Sequence, residues 1–248
     1  METLLASGYG FALVLFRVTA LCSVAPVFGT RSVPTRVRLA LSLALSAPLY
    51  FAAGAPTPEA PEHLFFLGIA AVQETILGLA AGAAARFTLE AASAAGQLAG
   101  QAMGLGYGAM LDPLNGAEST AVSQLFSFTA LGIAVSLGIH REAIAWLASS
   151  FQSMPPGAAI DLTSVMQGAC AQVLYSVALT VRLAFPFIAA ATFGHLLLGI
   201  AGRLAPALSL SSVGFGMSLL IGGGALFLLA PQAAELAARA AVASFSHR

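Results

Sequence analysis

Lysine is absent: all ten basic residues of the 248-residue chain are arginine. A phosphate-binding Walker A loop needs its lysine, and so does Schiff-base catalysis, so both chemistries are excluded. Charge of either sign is scarce, at 8% of residues, with ten acidic side chains against ten basic ones. A soluble domain carries about 25% charged residues, so this chain cannot solvate an ordinary surface and must bury itself in lipid, in partner subunits or in both. A formal net charge of zero leaves no basic footprint for nucleic acid. The two cysteines, Cys22 and Cys170, stand far apart in apolar runs and are expected to be buried, inert thiols, with neither a disulfide framework nor a metal site. His63, His140, His195 and His247 have no ligand spacing, so no metal is expected. There is no HExxH and no nucleophile elbow, and no second aspartate partners Asp112, so an intramembrane protease has no support. No basic region precedes the first apolar run, "METLLASGYGFALVLFRV", and Arg17 interrupts it, so it is expected to persist rather than be cleaved as a signal peptide.

What is abundant is apolar: 58% of residues are hydrophobic, and the mean hydropathy is +0.90. Six apolar stretches run roughly over Leu4–Phe28, Val37–Ala53, Leu64–Phe87, Leu125–Ile139, Cys170–Ile200 and Leu210–Ala230. A helical span needs about 20 apolar residues. Two stretches are short and several carry Arg, Glu or Pro, so an all-α chain is expected, but not a plain six-span bundle. "GTRSVPTR" (Gly29–Arg36) and "GAPTPEAPEH" (Gly54–His63) read as loops. Their opposite charge places the first on the cytoplasmic side and the second outside. Between Ile139 and Ala158 the pattern predicts a short helix stopped by Pro-Pro-Gly, with Ile144, Leu147 and Phe151 on one face and Trp146 at an interface. A final, partly solvent-facing helix is expected to start at Pro231, with Glu235 and Arg239 paired at i,i+4. No linker or second domain is visible, so residues 1–248 read as a single domain.

The stretch "GQLAGQAMGLGYGAMLDPLNG" (Gly96–Gly116) divides in two. Gly96, Gly100 and Gly104 recur every four residues, forming a stripe on which another helix can approach closely, with Gln97 and Gln101 alongside to hydrogen-bond across the contact. From Gly104 the spacing shortens to Gly106 and Gly108, which predicts a bend or unwinding, since each helical glycine costs about 1 kcal/mol relative to alanine. Asp112-Pro113 and Asn115-Gly116 are turn signals. The spacing is not GxGxxG and follows no strand, so this is no dinucleotide site, and no cofactor is implied. Charges inside the apolar segments, Arg17, Glu74, Arg86, Glu90, Arg182 and Arg203, mark protein-lined or wet surroundings. They fit either a proton relay through Glu74 or Glu90, or structural ion pairs and hydrogen bonds to partner subunits. Arg86 and Glu90 stand at i,i+4 and favour the structural reading for themselves.

In order and spacing, several segments resemble the FliR family of flagellar export-apparatus subunits and its injectisome counterpart, SctT. They are "LFRVTALCSVAPVFGTRSVPTRVRLALSLALSAPL" (Leu15–Leu49), "QETILGLAAGAAARF" (Gln73–Phe87), "GQAMGLGYGAMLDP" (Gly100–Pro113), "SFQSMPPG" (Ser150–Gly157) and "LLLGIAGRLAPALSLSSVGF" (Leu196–Phe215). The chain departs from the family's usual pattern at Arg182, at Pro206-Ala207 and at Gly216. The resemblance implies a non-enzymatic, all-α subunit of kinked helical hairpins. It would assemble with the P and Q subunits, and meet the large export-gate and switch subunits, in the bacterial inner membrane at the flagellar basal body. It implies a type III export gate that passes unfolded protein. It also implies that the loop over roughly Gly104–Glu118 plugs the pore, with Gly104, Leu105, Gly106, Tyr107, Gly108, Met110, Leu111, Asp112, Pro113 and Asn115 in it. Arg17, Glu74, Arg86, Glu90 and Arg203 would make buried polar contacts. An injectisome subunit is the near alternative. A proton-coupled small-molecule transporter using Glu74, Glu90 or Asp112 is the alternative from another class.

Overall fold

The computed structural model describes residues 2–30, 33–58, 64–104, 121–204 and 210–246. Among the described residues it contains seven helices and no strand: α1 (Glu2–Val24), α2 (Thr35–Ala52), α3 (Leu64–Ala102), α4 (Ala121–Ser136), α5 (Ile139–Ser153), α6 (Leu162–Leu204) and α7 (Leu210–Ser246). The helices follow from the long apolar runs: a backbone with few water-facing residues must satisfy its N–H and C=O groups, and a helix does so within one segment. Among the described residues, four helices hold stretches long and apolar enough to cross a membrane, Ala6–Val24, Phe65–Ala102, Leu162–Ile200 and Leu220–Phe245. The α4–α5 pair, bent by 59°, would be a fifth. The bend falls at Leu137-Gly138, where Gly138 takes the left-handed conformation at φ 84°.

Three boundaries differ from the sequence pattern. Helix α3 does not stop near Phe87 but continues to Ala102, because polar Arg86 and Glu90 fall on its half-buried and exposed sides while Ala91, Ala92, Ala95 and Ala99 extend its buried stripe. Pro231 starts no helix and lies inside α7. Ala230, Ala233, Ala234, Ala237 and Ala238 are buried on either side of it, and packing of that face holds the helix together across the missing N–H. Trp146 turns inward with Leu147 and Phe151, and Ile144 is half-buried. Cys22 is buried, but Cys170 is exposed on α6, since that stretch of the helix faces outward.

The chain gathers into two compact units. The first comprises Met1–Phe87, Val135–Val173 and Ala241–Arg248, and the second Thr88–Ala134 and Leu174–Ala240. In the first unit α3 lies directly on α1. A Cβ at Gly78 would overlap the Arg17 carbonyl, and one at Gly82 would come within 3.0 Å of the Leu21 carbonyl. These two glycines at i,i+4 make the close approach that small residues allow between apolar helices. Phe11 of α1 meets Tyr50 of α2 edge-to-face, with centroids 5.8 Å apart. Helix α2 is inverted relative to a soluble helix: Ser42 and Ser46 are buried while Val37, Leu39, Leu43 and Phe51 are exposed. Its inward hydroxyls donate to the helix's own carbonyls at Leu39 and Ser42, so little desolvation cost remains. Water is the wrong solvent for its outward face.

In the second unit the core is built mainly of alanine and glycine. Gly96 of α3 sits against the α4 backbone, where a Cβ would come within 2.9 Å of Ser123 Cα and 3.0 Å of the Val122 carbonyl. Ser93 and Ser123 hydrogen-bond at 2.9 Å across this contact. Phe126 and Phe187, both fully buried, close its floor edge-to-face.

Candidate functional site

The strongest polar constellation among the described residues surrounds Arg17. Eleven residues of an apolar helical stretch precede it from Ala6, so its guanidinium has no route to bulk water along α1. It is fully buried, as is Glu74 of α3, and Arg17 Nε donates to Glu74 Oε2 at 2.6 Å. Arg17 Nη1 donates to the Ser150 carbonyl at 3.1 Å and to Ser150 Oγ at 3.2 Å, and Nη2 donates to the Met154 carbonyl at 3.1 Å. The Ser150 carbonyl also accepts the Met154 amide at 2.9 Å, and this end of α5 carries the negative end of the helix dipole. A buried guanidinium is suited to that position because it is a fixed, always-charged fork of donors. The ring of Phe151 flanks it, with the guanidinium carbon 4.6 Å from the centroid.

The second carboxylate oxygen of Glu74 accepts the Gly157 amide at 3.0 Å. Gly157 has φ 83°, a conformation that penalises any side chain, and it forms the turn after Pro155-Pro156. One ion pair thus joins α1 and α3, ends α5, and anchors the Pro-Pro-Gly connector that leads into α6. Chemically the cluster is closed: both Glu74 oxygens are occupied, and no buried side-chain polar atom among the described residues lacks a hydrogen-bond partner. This is a structural tie, with no group poised for acid–base or nucleophilic work.

The other expected contacts distribute differently. Arg86 is half-buried, while Glu90 and Arg203 are exposed on the single chain. Arg203 occupies the last turn of α6, where a cation suits the helix dipole without burial. Arg182 is also exposed. Of the packing residues, Gly96 meets α4, Gly100 is buried, Gln97 is half-buried and Gln101 is exposed. The Gln101 carbonyl accepts the Gly104 amide at 3.0 Å, and Gly104 takes φ 80°, turning the chain out of α3. Leu105, Gly106, Tyr107, Gly108, Met110, Leu111, Asp112, Pro113 and Asn115 lie outside the described residues. Among the described residues no group of three or more metal-ligating side chains gathers.

Sequence reasoning missed two features. Gly78 and Gly82 carry the same four-residue spacing as the Gly96 stripe, but the surrounding alanines blur it. Arg38 closes the α1–α2 connector: its Nε donates to the Phe28 carbonyl at 3.2 Å and its Nη2 to those of Thr30 at 3.1 Å and Val33 at 3.4 Å. That segment bends through Val27 at φ 77°, a strained conformation for a β-branched residue.

Comparison with known proteins places these features in context. Residues 9–242 match the family described as bacterial export proteins, family 1. The chain is 31% identical to the flagellar biosynthetic protein FliR of Escherichia coli (strain K12) over 218 residues, covering 88% of this chain and 82% of that one. It is 29% identical to the protein of the same name from Caulobacter vibrioides, covering 86% and 85% of the two chains. Against that of Bacillus subtilis (strain 168) the identity is 25%, covering 85% and 82%.

Proposed function

We infer the function from membership: the chain belongs to the bacterial export proteins, family 1. It is a membrane-embedded, non-enzymatic subunit of the flagellar export apparatus, as the relatives' names indicate. The finer reading is that it forms, with P and Q subunits in the inner membrane at the basal body, a plugged channel for unfolded export substrates.

The observation that carries this reading is the mismatch between its apolar helices and a bilayer. The apolar stretches of α3 and α6 run for 38 and 39 residues, a contour of roughly 57 Å each at 1.5 Å per residue, against a hydrocarbon core of about 30 Å. Val72, Leu79, Phe87 and Leu98 are exposed along α3, and Leu174, Val181, Phe185, Phe193 and Ile200 along α6. Lipid can cover only part of such a length, so other protein must cover the rest. A transporter working alone would need a carboxylate free to bind and release a proton; of its three candidates, Glu74 is committed to Arg17 and Gly157, Glu90 is exposed on α3, and Asp112 lies outside the described residues. The gate reading therefore accounts for more of the molecule.

The plug is assigned to Gly104–Glu118. Gly104 already turns the chain away from α3, Gly106 and Gly108 make rearrangement cheap, and Tyr107, Met110 and Leu111 supply occluding bulk. Deleting Leu105–Glu118 is expected to leave assembly intact and make the assembled gate leak small ions. A deletion variant that assembles and stays as ion-tight as the parent would disprove the plug.

A further inference from the structure

Beside the Arg17 tie, in the same unit, lies a cleft of about 390 Å³ whose walls include Leu77, Trp146, Ser149, Ser150, Ser153 and Ser164. Serines crowd this cleft, and every hydroxyl proton is already spent. Ser149 Oγ donates to the Trp146 carbonyl, Ser150 Oγ to that of Leu147, Ser153 Oγ to that of Ser149, and Ser164 Oγ to that of Asp161. A hydroxyl has one donor and two acceptor sites, so what these side chains offer the cleft is acceptor capacity. Ser150 already uses its own toward Arg17 from the inner side, which marks the kind of group such oxygens receive.

Charge points the same way. Asp161, one turn before Ser164, is exposed and accepts the Thr163 amide at 3.0 Å, and no cation among the described residues pairs with it. The positive charge behind the wall, Arg17, is neutralised by Glu74. Serine oxygens with free acceptor capacity, the Trp146 ring and the apolar flank at Leu77, with the Asp161 carboxylate one turn from the wall, together fit a cation on a hydrocarbon stem.

We propose that this cleft receives an arginine or lysine side chain from an apolar helix of a neighbouring subunit of the export apparatus. The proposal rests on the gate reading and names one of its contacts.

The test uses the chain assembled in membranes with its P and Q subunits. A Ser164→Cys, Cys170→Ser variant carrying a benzophenone maleimide is irradiated, and the cross-linked peptides are sequenced. The expected product joins the labelled position 164 to a peptide of another subunit at or beside an Arg or Lys. Attachment to lipid alone, to this chain alone, or to an uncharged stretch of a neighbour would overturn the proposal. A second variant, Asp161→Asn, keeps a side-chain oxygen for the Thr163 amide and removes only the charge. It is expected to lower recovery of the complex about fivefold at low salt, equivalent to roughly 1 kcal/mol, with the difference shrinking as salt rises. Unchanged recovery, or a loss indifferent to salt, would also overturn it. If the unsubstituted chain fails to assemble with either subunit, the gate reading itself falls; if it assembles but no basic residue is captured, only this contact falls.

Discussion

Arg17→Met and Glu74→Met, made singly and together, test whether the buried pair is one unit. Each single change leaves its former partner buried and uncompensated, which costs about 3–5 kcal/mol. Arg17→Met also removes the guanidinium donors from the Ser150 and Met154 carbonyls, leaving Ser150 its bond from the Met154 amide, and Glu74→Met frees the Gly157 amide, which water can reach because Gly157 is exposed. The double variant removes both charges together. Its residual cost is the loss of the guanidinium's hydrogen bonds to the Ser150 and Met154 carbonyls, about 1–3 kcal/mol. Independent sites would cost the sum of the singles, so a coupling of at least about 3 kcal/mol is expected. Cys22 provides the readout: it is fully buried on α1, five residues from Arg17. In a Cys170→Ser background its maleimide labelling rate in detergent micelles tracks the opening equilibrium of this unit, tenfold for each 1.4 kcal/mol. Each single variant should label at least about a hundredfold faster than the parent, and the double variant only about tenfold to a hundredfold faster. A double variant whose acceleration equals the product of the singles would refute the tie.

Gly96→Val forces a side chain against the Ser123 and Val122 backbone and should destabilise by about 1–3 kcal/mol. Gly132→Ala on α4, with nothing within 4 Å of the added Cβ, should stabilise by about 0.5–1 kcal/mol; thermal melts followed by circular dichroism order the two, and the reverse order would refute the packing assignment. Val27→Gly relieves a β-branched residue held at φ 77° and should stabilise by about 1 kcal/mol, the strain released less the added unfolded-state freedom; a lower melting temperature would count against strain there. Arg38→Gln loses charged hydrogen bonds to the Phe28, Thr30 and Val33 carbonyls and should speed amide exchange at Gly29 and Val33 about tenfold. Unaltered exchange would mean that Arg38 does not hold the connector.

The helical class was legible because long apolar runs in a chain with 8% charged residues call for a backbone that bonds within its own segment. Arg17 and Glu74 stood out as charges in apolar runs, yet their pairing was illegible, since 57 residues separate them and no periodicity spans that distance. The role of "SFQSMPPG" was equally hidden. Its contribution to the tie is two backbone carbonyls, one hydroxyl and one amide, and backbone groups leave almost no trace in residue identity. Glycine spacing was readable at Gly96, where polar neighbours frame it, and missed at Gly78 and Gly82 among alanines. Pro231 misled because proline marks a helix start in water, whereas packing on both sides carries α7 through it. Exposure of Glu90 and Arg203 on one chain, together with the outward apolar face of α2, concerns surfaces whose partners a single sequence does not contain.

The central claim, that this chain works only as part of a multi-subunit export channel, meets its most direct test in co-purification. The tagged chain is produced with the P and Q subunits of its own flagellar system and extracted in mild detergent. The account predicts one stable complex containing all three, and a chain that is poorly recovered when produced alone. A chain that is stable alone, shows no association with P or Q, and moves a small solute across vesicles by itself would contradict it.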